Sequence, residues 1–113
     1  MATIAVPATK TVPAYPAAEV AAVLRHELLG VIRRRYRRKG LPLPKKDDEV
    51  IIMVIEIDSL TVVELLSSLD DILSFEVTES VVKAGGYWSI DAAAKHVTGR
   101  VEKKWNKHHG GEK

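Results

Sequence analysis

Apolar residues recur at helical spacing in three stretches of the chain. In the first, Val20, Leu24, Leu28 and Val31, with Val23 and Ile32 beside them, form one stripe. The stripe predicts a helix that begins near Pro16, a residue suited to the first helical position, and runs to about Arg38. Gly40, followed by Pro42 and Pro44, ends it. Gly30 weakens its middle by up to about 1 kcal/mol. The second stripe, Val62, Leu65, Leu66, Leu69, Ile72 and Leu73, predicts a helix over residues 59–73. The third, Ile90, Ala94, Val97, Val101 and Trp105, predicts a closing helix capped by Ser89, with Asp91 in its first turn and Gly99 as a point where it would break.

The intervening segments follow other patterns. Residues 50–55 (Val-Ile-Ile-Met-Val-Ile) have strand propensity, yet no second convincing strand exists to pair with them. The expectation is an apolar loop laid across the helices, with at most a helical turn. Phe75-Glu76-Val77 reads as an apolar connector, and residues 78–83 as one short helix ended by Gly85-Gly86. Residues 1–16 carry three prolines and no period, so a disordered tail is expected there; residues 106–113 read as a flexible polar tail. The predicted fold is all-α: a small four-helix bundle over residues 17–105, with a long loop between helices one and two.

Charge changes this picture more than composition does. Residues 1–46 hold ten Lys/Arg against two Asp/Glu, residues 47–82 none against ten, and residues 83–113 seven against three. The net charge of +2 therefore hides an acidic block suited to a basic partner. The absence of cysteine excludes disulfides, a thiolate nucleophile and zinc-finger spacing. No run of about 18 apolar residues and no signal-peptide pattern is present, so no membrane span and a cytoplasmic location are expected.

One candidate site stands out. In Ile57-Asp58-Ser59-Leu60-Thr61, a serine lies where the second helix begins, and Asp58 or Ser59 can cap that helix. A phosphate ester is well tolerated at the positive end of a helix. A serine without a neighbouring base is a weak nucleophile, and none of the four histidines (His26, His96, His108, His109) is near it in sequence. Ser59 is thus better placed to be modified than to attack, and no catalytic residue and no enzymatic activity is expected.

With these residues in view, residues 17–104 resemble the acyl carrier proteins and the related peptidyl carriers. The resemblance rests on Asp58-Ser59-Leu60, Val63-Glu64-Leu65, Leu69-Asp70-Asp71, the connector Phe75-Glu76-Val77, and Ser89-Ile90-Asp91-Ala92-Ala93 in the closing helix. It implies that Ser59, flanked by Asp58 and Leu60, receives 4'-phosphopantetheine from coenzyme A through a separate phosphopantetheinyl transferase. The arm's thiol would then carry an acyl or aminoacyl chain as a thioester for fatty-acid, lipid or polyketide synthesis. It also implies that acidic helix two, through Glu64, Asp70 and Asp71, docks on basic faces of acyl-transfer and chain-elongating enzymes, the carrier itself being monomeric. Thr61 stands where the family often has an acid, at the same docking end. Glu56 stands where glycine is common. These departures, the basic first helix and the Gly85-Gly86-Tyr87-Trp88 insertion suggest a specialised carrier.

Other features compete for attention. The run over residues 33–39 (Arg33, Arg34, Arg35, Tyr36, Arg37, Arg38, Lys39) has the chemistry to meet phosphate backbones or an anionic membrane surface. That is the alternative reading of the protein. As a carrier it is expected to bind no nucleic acid, to contact anionic membranes weakly through this run, and otherwise to keep these cations as a solvated helix end or paired with the acidic block. Tyr87 and Trp88 are expected in the core. Leu65, Leu69 and Val82 are core positions that would line an acyl pocket. His108-His109 lacks a third ligand, so no metal is expected.

Overall fold

The first stripe becomes α1 (Ala17–Lys39) in the computed structural model, which describes residues 14–109. Val20, Leu24, Leu28, Leu29 and Ile32 are its buried face. Gly40 ends it in the left-handed conformation (φ 70°), where the backbone N–H groups of Gly40 and Leu41 reach the carbonyls of Arg37 and Tyr36. The last turn carries Arg37, Arg38 and Lys39, cations that suit the carbonyl end of the helix.

The apolar run after it is partly helical. α2 (Asp47–Ile52) opens on Asp47, Asp48 and Glu49, three acids at its positive end, and buries Val50. A short helix satisfies its own backbone, which an unpaired strand cannot. Residues 54–57 are then extended and find a small partner that the sequence does not advertise. Ile55 donates to the Trp88 carbonyl at 3.0 Å, and Ile57 and Tyr87 exchange two hydrogen bonds of 2.8 Å in an isolated antiparallel bridge.

The second predicted helix spans the expected residues but changes pitch. α3 (Ser59–Leu65) passes into a 3-10 turn (Leu66–Leu69) and then α4 (Asp70–Leu73), ended by Ser74 at φ 68°. In a 3-10 turn residues three apart lie on one side, so Leu66 and Leu69 enter the core together. The short helix expected over residues 78–83 is a single 3-10 turn, Glu79–Val81.

α5 (Ile90–His109) is capped by Ser89, whose Oγ accepts from the Ala92 N–H at 2.9 Å. Gly99 does not break it. It continues beyond Trp105, so residues 106–109 are helix rather than tail. Ring contacts among Phe75, Trp105, His108 and His109 hold this end. At the other terminus, residues 1–13 of the expected tail lie outside the described residues. Tyr15 within that tail is packed: its ring meets Trp105 and its hydroxyl donates to the Thr98 carbonyl at 2.8 Å. Burial raises the Tyr15 pKa, with Glu102 adding to the effect.

α1 packs along α5, α2 rests on both, and α3 lies on α1. Tyr15 places the start of α1 beside the second half of α5, while Ile55 and Trp88 close the opposite end, so the two long helices run antiparallel. The buried cluster draws on every segment from Val20 to Trp105. Among the described residues the protein is a small all-helical bundle with no strand, and no helix is long and apolar enough to cross a membrane.

Candidate functional site

Ser59 opens α3 and is half-buried. Its position is fixed from both sides. Before it, the bridge between Ile57 and Tyr87 holds the extended strand-like segment against the Gly85-Gly86 turn. Gly86 has φ 83°, and a Cβ there would press on the Ile57 carbonyl oxygen and lie 2.9 Å from the Asp58 Cα. Only glycine allows the turn to approach so closely. The Gly85–Trp88 segment is therefore the brace behind the Ser59 segment.

After it, Asp58 caps α3. One carboxylate oxygen accepts from the Thr61 N–H at 2.8 Å and from the Thr61 hydroxyl at 2.7 Å. Those two hydrogen bonds, with the Arg35 charge nearby, hold the Asp58 carboxyl below the usual aspartate pKa. The capping choice left open between Asp58 and Ser59 thus falls to Asp58, which leaves the Ser59 hydroxyl uncommitted to the cap.

Thr61 is corrected by the structure. Only 8% of it is exposed, so it does not present a docking surface. Its hydroxyl donates to Asp58 and accepts from Arg35 Nη2 at 3.2 Å, joining α3 to the end of α1. Asp70 is likewise only half-buried rather than fully displayed, with one carboxylate oxygen buried and without a hydrogen-bond partner. It lines a cleft of about 350 Å³ with Glu76 and Glu79. Glu64 and Asp71 are exposed as expected.

Three large apolar residues of these segments are exposed: Leu60 by 64%, Val54 by 81% and Trp88 by 66%. Trp88 therefore departs from the expected core position, whereas Tyr87 occupies it. The backbone explains the split: consecutive residues of an extended segment point to opposite faces, and the bridge turns Tyr87 inward. Leu69 is fully buried, and Leu65 and Val82 are partly so; none of the three lines the two clefts flanking α3.

Tyr87 links this brace to α5. The Lys83 N–H donates to the Tyr87 hydroxyl, which also shares a 2.7 Å hydrogen bond with His96 Nδ1. Desolvation, together with the Arg100 and Lys83 charges, lowers the His96 pKa; burial raises that of Tyr87.

The arginine run divides by function. Arg33 is consumed structurally, donating to the carbonyls of Pro44 and Lys45 and pairing with Asp47 at 2.7 Å. Arg34, Arg37 and Arg38 are exposed. Arg35, Tyr36 and Lys39 instead line a cleft of about 320 Å³ with Ile32, Ile55, Glu56 and Asp58. That these side chains meet Asp58, the neighbour of Ser59, is not evident from the sequence. A signal existed: Leu28, Ile32, Arg35 and Lys39 continue one helical stripe from the core to the site.

Comparison with protein-family models, with curated proteins and with solved structures gave no match.

Proposed function

We propose that this protein is a non-catalytic carrier of acyl-carrier type, modified on Ser59 by 4'-phosphopantetheine. The observation that carries the reading is the Asp58-Ser59-Leu60 segment in its setting. Asp58 supplies the cap, Ser59 keeps a free hydroxyl at the head of an acidic helical stretch, and Leu60 faces solvent. The cations and phenol of the cleft beside Asp58 fit a phosphate ester at this place.

Each part has a distinct role. The Ser59 hydroxyl attacks the phosphorus of coenzyme A that bears the pantetheine. The bond to the departing adenosine 3',5'-bisphosphate breaks as the new ester forms, and the hydroxyl proton passes to a base of the transferase. When attached, the arm supplies a terminal thiol that holds an acyl chain as a thioester. Exposed Glu64 and Asp71 steer basic partner faces, which raises the rate of encounter. Exposed Leu60, next to Ser59, offers apolar contact once the partner arrives.

Intact-protein mass after incubation with coenzyme A, magnesium and a broad-specificity transferase tests the reading. One phosphopantetheine should add to the protein and none to Ser59→Ala. Failure of the protein to load beside an efficiently loaded control carrier would count against it.

A further inference from the structure

We infer that Arg35, Tyr36 and Lys39 at the end of α1 form a seat for the phosphodiester of the group on Ser59, holding the first segment of the arm against the bundle. This rests on Ser59 being the attachment residue. Three observations lead to it.

The cleft presents cations that no ion pair consumes. Arg35 spends one guanidinium N–H on the Thr61 hydroxyl, of the five a guanidinium carries. The ion pairs among the described residues are Arg33–Asp47 and Lys95–Asp91, so neither Arg35 nor Lys39 has a carboxylate within pairing distance. A planar guanidinium fork matches two phosphate oxygens, and the Lys39 ammonium adds a point charge.

Thr61 keeps Arg35 available. Its hydroxyl stands between Arg35 and Asp58, accepting from the first and donating to the second. An acid at this position would pair with Arg35 directly. The neutral threonine therefore preserves the cation for another anion, and the residue that departs from the carrier pattern acquires a reason.

The cleft's charge balance also names the ligand. Arg35 and Lys39 face Glu56 and Asp58 in the same cleft, which leaves it near neutral. Such a site does not concentrate free phosphate. It suits an anion delivered by its own tether, where attachment one residue from the cleft wall supplies an effective concentration on the order of millimolar or more.

The test compares apo and loaded protein by NMR, with loading followed independently by mass. In the loaded wild-type protein the Arg35 Nε–Hε resonance should shift, and the phosphorus should relax with the overall tumbling of the protein, as a rigid group does. In loaded Arg35→Gln/Lys39→Gln the phosphorus should show the fast local motion of a flexible group. Lys39→Gln alone, at an exposed position, should loosen the phosphorus without disturbing the Thr61 link. Inorganic phosphate added to the apo protein should leave Arg35 unshifted. A loaded wild-type protein with a mobile phosphorus and an unmoved Arg35 signal overturns the seat while the carrier reading stands. Absence of loading in the mass spectrum overturns both.

Discussion

Replacing Gly86 with alanine should cost far more than the same change at its neighbour. Both glycines have positive φ, 90° at Gly85 and 83° at Gly86. Forcing an L-residue into that region costs about 1–2 kcal/mol at either position. The accompanying loss of unfolded-chain entropy is the same for both and cancels in the comparison. The surroundings differ. A Cβ at Gly85 meets nothing within 4 Å, whereas one at Gly86 presses on the backbone of Ile57 and Asp58. Backbone cannot rotate aside as a side-chain tip can, so the turn must retreat and the two 2.8 Å hydrogen bonds between Ile57 and Tyr87 are lost. At about 1 kcal/mol each they add about 2 kcal/mol. Before that common entropic gain in stability, the expected costs are about 1–2 kcal/mol for Gly85→Ala and about 3–4 kcal/mol for Gly86→Ala. For a domain of this size the difference corresponds to a melting point about 10 °C lower for Gly86→Ala. Urea denaturation followed by far-UV circular dichroism measures both. Gly86→Ala should also slow the loading of Ser59, because the brace behind that residue shifts. Equal destabilisation of the two variants, within about 0.5 kcal/mol, would refute the claim that close approach rather than φ governs this turn.

Two further outcomes follow from the same contacts. His96 has a lowered pKa in the folded protein, so the native state binds fewer protons than the unfolded one; its contribution is complete above the unfolded value of about 6.5 and is lost as pH falls through the folded value. The melting temperature should fall on acidification below about pH 6.5, and His96→Gln should flatten that slope; an unchanged slope in the variant removes His96 as its source. Asp58→Ala should destabilise the protein by about 0.5–2 kcal/mol through loss of the cap, whereas Asp58→Asn should retain most of the cap, as chemical denaturation would reveal.

The two long helices were legible because each carries a complete apolar stripe and a matching stop or cap: Leu24, Leu28 and Ile32 before Gly40, and Val97, Val101 and Trp105 after Ser89. That a cap falls at Asp58 or Ser59 was legible for the same local reason, but the choice of Asp58 was not. What escaped were features that exist only between distant segments. The Ile57–Tyr87 bridge joins residues on either side of α3 and α4, and neither segment repeats the pattern of a strand. Trp88 looks like core by composition, yet the extended backbone that buries Tyr87 turns it outward. Thr61 follows the motif serine closely enough to suggest the docking face. Helical geometry instead brings it back over Asp58 and under Arg35. Gly99 illustrates the reverse error: its helix-weakening tendency of about 1 kcal/mol is outweighed by burial of Val97 and Val101 on either side, each at 0% exposure. The end of α5 extends because Phe75, from another part of the chain, meets His108 at a ring separation of 4.5 Å.

The central claim is that Ser59, and no other hydroxyl, carries the group. Residues 47–82 contain no lysine or arginine, so trypsin releases Ser59 together with Ser67, Ser68, Ser74 and Ser80 on one peptide ending at Lys83. After loading with coenzyme A and a transferase, fragmentation of that peptide should place a single phosphopantetheine on Ser59. An unmodified peptide, or the group on any other residue, would contradict the account.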